Sequence, residues 1–225
     1  MKKILFTAVL CLVALVGTAQ SFVEERPVKE FSKVSVKSGI DVYITEGTSS
    51  TAKIETNIEE ALDNVRLKQN GTELEISFDK KFRNYRNLKM KVYVSAKGLE
   101  SIKASGGSDV FSTNTLTTDD IYIRVSGGSD ASLSLKANNV HCKASGGSDI
   151  ILKGDAGYAE LEATGGSDIK MKEMTVKTVD ARASGGSDII VNVTEQLNAK
   201  ASGGSDIIYS GEPRMVNKSG DVKKT

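Results

Sequence analysis

From residue 99 onward the chain alternates apolar and polar positions with period two, in short runs separated by the same five-residue punctuation. The punctuation is Ser/Thr-Gly-Gly-Ser-Asp, and it begins at Ser105, Ser126, Ser145, Thr164, Ser184 and Ser202. Successive copies are 21, 19, 19, 20 and 18 residues apart. One residue before each copy stand Ala104, Val125, Ala144, Ala163, Ala183 and Ala201, and three before stand Ile102, Ile123, Cys142, Leu161, Ala181 and Ala199. The row between them, Lys103, Arg124, Lys143, Glu162, Arg182 and Lys200, is charged throughout. Alternation of this kind marks a strand with one buried face.

After each copy the apolar register resumes at Val110, Ala131, Ile150, Ile169, Ile189 and Ile207. Two residues further on it continues at Leu133, Leu152, Met171, Val191 and Tyr209, with Ser112 the exception. Each repeat therefore reads as strand, sharp corner, strand and a looser corner such as Lys153 to Gly157. A helix of this period would need apolar residues three and four apart, and would have to absorb two glycines at about 1 kcal/mol each. The pattern predicts an all-β solenoid of about 19–20 residues per coil, in which stacked coils bury a face that one coil cannot bury alone. Six coils at roughly 4.8 Å spacing make a rod about 30 Å long. The glycine pairs, Gly106-Gly107, Gly127-Gly128, Gly146-Gly147, Gly165-Gly166, Gly185-Gly186 and Gly203-Gly204, are read as structural corners, because a sharp turn requires φ > 0. The flanking Ser and Asp side chains are expected to bond corner N–H groups or to stack as ladders between coils. Alanine in the row before the corner implies a narrow core there, filled from the opposite strand by Ile, Leu and Met.

Residues 20–98 lack the pentad but are also strand-rich. Val34, Val36, Ile40, Val42 and Ile44 alternate, and Asn70-Gly71 predicts a hairpin between Val65–Gln69 and Thr72–Phe78. A short helix is expected within Asn57–Asn64, and Leu88–Val94 is a further strand. Faint copies of the corner lie at Ser38-Gly39-Ile40-Asp41 and Ser219-Gly220-Asp221. The segment is read as opening coils plus a hairpin insertion covering one end of the solenoid, so that 20–98 and the repeats 99–225 form one continuous domain; a separate small domain over 20–98 is the alternative. Lys80, Lys81, Phe82, Arg83, Tyr85 and Arg86 form a basic, aromatic-interleaved cluster, read as an exposed loop.

The first nineteen residues read as an export signal: Lys2 and Lys3, the apolar run Ile4–Val16, and small residues ending at Ala19. The run is too short for a span of about 20 residues, and no transmembrane segment is expected in the mature chain. Cys142 is then the one remaining cysteine; its place in an apolar row marks it as a core residue, and stability must come from packing and pairing. A formal net charge of +1 gives no case for nucleic acid. No tryptophan and few aromatics weigh against a carbohydrate-stacking groove.

The most distinctive chemical feature is the row Asp109, Asp130, Asp149, Asp168, Asp188 and Asp206. Stacking brings these like charges within about 5 Å of one another, which disfavours ionisation of all of them. One offset is structural, with each carboxylate accepting corner N–H bonds and the neighbouring Lys/Arg row supplying positive charge. The other is calcium, a hard cation that takes carboxylate and carbonyl oxygens, which makes the six aspartates candidate ligands. No other cofactor is implied. For catalysis the rows are too uniform: the single histidine, His141, is read as a solvated surface residue, and no Ser-His-Asp spacing, zinc motif or phosphate loop is present. A polysaccharide-acting β-helix enzyme is the lesser alternative.

The unit apolar-x-Ala-Ser-Gly-Gly-Ser-Asp-Ile, repeated after a signal-like leader and a divergent Val34-Ser-Val-Lys-Ser-Gly-Ile-Asp-Val-Tyr-Ile44 opening, resembles the head GIN domain family over roughly Phe31 to Lys218. Members are Gram-negative envelope proteins described as auto-transporter adhesins. The resemblance implies a right-handed parallel β-helix-like fold, export to the periplasm, outer-membrane surface or exterior, and no catalytic residues. It points to a non-enzymatic module that displays a repetitive surface to a glycan or envelope-protein partner. No translocator barrel follows the repeats in this sequence.

Overall fold

The computed structural model describes residues 21–79 and 87–225; the leader and the basic cluster from Lys80 to Arg86 lie outside the described residues. The chain is 71% strand and 3% helix and winds into a β-solenoid of about seven turns, more than the six pentads alone provide. The strands are β1 (Phe22–Arg26), β2 (Lys33–Lys37), β3 (Asp41–Glu46), β4 (Thr51–Thr56), β5 (Val65–Asn70), β6 (Glu73–Phe78), β7 (Met90–Ala96) and β8 (Ser101–Ser105). There follow β9 (Val110–Ser126), β10 (Asp130–Ser145), β11 (Asp149–Thr164), β12 (Asp168–Ser184), β13 (Asp188–Ser202), β14 (Asp206–Ser210), β15 (Met215–Ser219) and β16 (Val222–Lys224). One 3-10 helix spans Glu59–Asn64.

The repeats stack in parallel from β8 to β14, and the serine or threonine that opens each pentad pairs with its counterpart in the next coil. The alternating rows point as their pattern requires. Val125, Ala144, Ala163, Ile150, Ile169 and Ile189 are buried, and the charged row between the apolar rows faces outward. Fully burying each large aliphatic side chain contributes roughly 1.5–3 kcal/mol. The repeats differ in length, and the difference is absorbed away from the pentad. Between β10 and β11, both from 19-residue repeats, the register runs without a shift from Asp130↔Asp149 to Ser145↔Thr164. In unequal neighbours it shifts between Ser132 and Ser134, between Ile151 and Lys153, and between Met171 and Thr175, all at the looser corner.

The pentad corner is rigid for two reasons. Both glycines take positive φ, as at Gly185 (+70°) and Gly186 (+72°). The first also lies against the coil beneath: a Cβ on Gly185 would sit 3.4 Å from the Gly165 nitrogen. The pentad's second serine turns inward and is buried in every copy, and it finds its partner in the adjacent coil. The N–H groups of Ser108, Ser129, Ser148, Ser167 and Ser187 donate to the Oγ of the next coil's serine at 3.0, 3.3, 3.2, 3.2 and 3.0 Å. A buried donor left without such an acceptor would cost about 1–3 kcal/mol. The serine ladder thus keeps the corner's interior hydrogen-bonded while the flanking rows remain apolar.

The amino-terminal segment departs from a simple run of opening coils. β2 pairs in parallel with β8, and β3 with β9, so the 33–46 coil sits directly on the first pentad coil. Its corner is Lys37 to Asp41, with Ser38 (φ +75°) and Gly39 (φ +76°) in the glycine positions; Ser108 Oγ accepts the N–H groups of Gly39 and Ile40. β6 and β7 then pair in parallel with the other edges of β2 and β3. The spatial order therefore differs from the chain order: the 33–46 coil lies between the β6–β7 layer and the repeats. Antiparallel β5 on β6, β4 on β7 and β1 on β4 finish that end. At the other end β15 pairs with β13 and β16 with β14, and Ser219 to Asp221 form the last corner. A single buried cluster runs from Phe31 to Val222.

Candidate functional site

The aspartate row follows the corners as a ladder of its own. Asp130 N–H donates to Asp109 Oδ1 (3.1 Å), and the same contact recurs from Asp149, Asp168, Asp188 and Asp206 to the aspartate one coil earlier, at 3.0–3.3 Å. The serine ladder points its N–H groups up the stack and the aspartate ladder points them down. The cations that reach these carboxylates are not those of the Lys/Arg row. Lys170 bridges Asp168 (3.0 Å) and Asp149 (3.1 Å), and Lys223 bridges Asp206 (3.3 Å) and Asp221 (3.0 Å). The expectation that the Lys/Arg row would neutralise the aspartates fails because the corner turns the chain. Residues before and after it face different sides, and the row pairs on its own face, Lys103 with Glu73 (3.0 Å) and Lys143 with Glu162 (2.6 Å). Partial burial, with Asp130 nearby, holds the Asp109 carboxyl above the usual carboxylate range; burial and Asp109 do the same to Asp41. Hydrogen bonds to Asp168 and Asp149 push Lys170 up. Among the described residues no three His, Cys, Asp or Glu side chains gather as a metal-holding group.

Cys142 is buried in the core, where loss of hydration pushes its thiol well above the ordinary value and leaves it unreactive.

The main concavity lies on the pre-corner face, a groove of about 1330 Å³ whose walls include Lys33, Ser101, Lys103, Asp120, Tyr122 and Asn138. A second depression along the same face shares Ser101, Lys103 and Tyr122 and adds Arg124, His141 and Glu160. Parallel register builds this surface. Ser101, Tyr122, His141, Glu160 and Asp180 form one outward row, and Lys103, Arg124, Lys143, Glu162 and Arg182 the next. Tyr122 and His141 stack with centroids 4.5 Å apart and planes 6° from parallel. His141 Nδ1 lies 3.0 Å from Glu160 Oε2. The histidine is therefore a half-buried member of a stack, not the solvated residue expected from its outward register. Tyr122 is 55% exposed, because its other neighbour, Ser101, is too short to cover the ring.

Planar polar groups brace the rim. Asn138 donates to Asp119 (2.8 Å) and Asn139 to Asp120 (2.8 Å); farther along the same face, beyond the groove, Asn198 donates to Asp180 (2.6 Å). The Tyr158 hydroxyl donates to Asp180 (2.7 Å), which with partial burial pushes the phenol up to about 12. The few aromatics present are gathered into stacks. Tyr43 lies between Tyr93 (5.1 Å) and Phe111 (5.2 Å) on the post-corner side, and Tyr122 joins His141 here. Tyr122 is absent from the sequence reading, and Arg124 enters it only as a member of the charged row. Aligning the repeats on their pentads would have put Tyr122 and His141 in one column, four residues before Ser126 and Ser145.

The family model described as "putative auto-transporter adhesin, head GIN domain" matches residues 30–213. The chain belongs to the head GIN domain family. A crystal structure of a "putative adhesin" from Bacteroides fragilis is 25% identical, covering 92% of this chain and 98% of its own, with a TM-score of 0.83. A "putative adhesin" from Parabacteroides distasonis is 20% identical over 92% and 97% of the two chains, with a TM-score of 0.74. A "putative lipid binding protein" from the same species is 16% identical over 91% and 96%, with a TM-score of 0.70. The last two show the fold alone. No curated protein matches the sequence. In this member of the head GIN domain family, the pentad ladders form the frame and the groove lies on the face before the corners.

Proposed function

We propose that this protein is a non-enzymatic, adhesin-like binding module of the cell envelope, and that its partner is a glycan held in the groove around Tyr122. The observation that carries the reading is the ring of Tyr122, seated on His141 and more than half exposed, with the short Ser101 as its neighbour on the other strand. A rigid aromatic presents a large apolar face at small entropic cost, and anchors of this type dominate recognition surfaces. Sugar rings have apolar C–H faces that stack on such rings, and the braced Asp120–Asn139 pair supplies fixed hydrogen-bonding groups beside it. The family's description and the adhesin name of the B. fragilis structure support a role in attachment. The signal-like leader supports export, and no helix among the described residues is long and apolar enough to cross a membrane.

The test is binding of the purified protein to an immobilised glycan panel, with Tyr122→Ala in parallel. Glycan capture by the native protein that falls roughly tenfold in the variant, at unchanged circular dichroism, is the expected result. Capture unaffected by Tyr122→Ala would remove the groove from the account.

A further inference from the structure

The groove's charges are unequally satisfied, and this asymmetry indicates what kind of glycan it takes. Most carboxylates of the groove and the adjoining depression are occupied: Asp119 and Asp120 accept from Asn138 and Asn139, Glu100 from Ser32, and Glu162 from Lys143, while Glu160 lies against His141; Asp155 is the exception among the described residues. Two cations near Tyr122 have no ion-pair partner among the described residues. Arg124 stands two residues along the strand from Tyr122, on the same outward side, and has no ion-pair partner among the described residues. Lys33 pairs in register with Ser101, the strand neighbour of Tyr122, and is also without one among the described residues. Register also sets Arg124 between Lys103 and Lys143, one strand spacing from each. Like charges directly opposite one another on neighbouring strands are destabilising, so an anion at Arg124 would offset a cost that the unliganded face carries.

Resting on the reading of this groove as a glycan site, we infer that its ligand is an acidic glycan. A sugar ring stacks against the exposed ring of Tyr122. Its carboxylate or sulfate group is held by the Arg124 guanidinium, whose planar fork matches either oxyanion, with Lys33 closing the other side. Neutral glycans lack the group that these two cations need.

Isothermal titration of the full purified protein at physiological salt, with oligogalacturonate, dextran sulfate and neutral dextran as probes, tests this. At least one acidic probe should bind while dextran binds at least tenfold more weakly. Arg124→Gln and Lys33→Gln should each weaken acidic binding roughly tenfold. Arg124→Lys should retain part of the affinity, and Lys172→Gln, an exposed lysine outside the groove, should change nothing. Which acidic probe binds distinguishes a carboxylate from a sulfate ligand, and either supports the inference. Dextran binding as tightly as the acidic probes, with Tyr122→Ala abolishing all of it, would keep the groove as a glycan site and overturn its acidic preference. Acidic binding indifferent to Arg124→Gln and Lys33→Gln would overturn the assigned contacts, and no binding of any probe would overturn both readings.

Discussion

Asp109 carries opposing effects in one side chain. Its Oδ1 accepts the Asp130 N–H, which favours the carboxylate, yet burial and the neighbouring Asp130 charge prevail and its folded pKa is raised. A raised carboxyl pKa means that the folded state holds the proton more tightly than the unfolded chain. Stability from this group is therefore greatest at acid pH, and it declines as pH rises from the ordinary carboxylate value through the raised folded one. Asp109→Asn keeps an oxygen acceptor for Asp130 and removes the charge. The variant should match or exceed the native protein in urea midpoint at pH 7, and its advantage should shrink as the pH falls to 3. A variant less stable at pH 7 by the same margin at every pH would mean that the ionised carboxylate is the favoured acceptor. Asp149 and Asp168 differ from Asp109 in one respect that matters, because Lys170 bridges them.

Each coil contains one corner that fixes register and another that absorbs change. The pentad corner has two left-handed glycines and an inward serine that must meet its counterpart one coil away. At the looser corner the ladder shifts register wherever repeats differ in length. Not every looser corner is free of constraint: Gly154 (φ +113°) lies so close to β10 that a Cβ there would collide with the Leu135 carbonyl. One residue inserted after Lys172, where β12 already outruns both neighbours, should cost at most about 1 kcal/mol, since loop length enters stability only logarithmically. The same insertion between Gly146 and Gly147 should cost several times more, because a one-residue slip turns every following side chain to the wrong face. Chemical denaturation of the two insertion variants makes the comparison, and equal losses would remove the distinction between the corners.

Over the whole molecule the ladders form a continuous frame with finished ends. Antiparallel β1, β4 and β5 cover one end, and the closing strands β15 and β16 carry Lys218, Lys223 and Lys224, charges of the kind that discourage edge-to-edge pairing. The aspartate row runs along this frame, and calcium remains the alternative explanation for Asp109, Asp130, Asp149, Asp168, Asp188 and Asp206. One oxygen of each of the first five already accepts a backbone N–H, and Lys170 and Lys223 supply positive charge to the later members. A thermal melt after chelation, with and without millimolar calcium, should therefore show no shift. A rise of several degrees would turn the row into a metal ladder, since a ligand stabilises the state that it binds.

The coil itself was legible in the sequence because its causes are local. Period-two alternation fixes which side chains turn inward, and paired glycines fix where φ must be positive, so the rows from Ala104 to Ala201 and from Val110 to Ile207 follow without long-range information. Long-range pairing decided the rest. Nothing in the alternation of Val34 to Ile44 says that this coil lies between β6–β7 and the first repeat, since a strand's pattern records its buried face but not the neighbours at its edges. The groove depends on the same information. Tyr122 is exposed because the short Ser101 is opposite, and Arg124 is unpaired among the described residues because the acids near it are held by other partners. Those are properties of register between coils about twenty residues apart, and only the folded stack sets them.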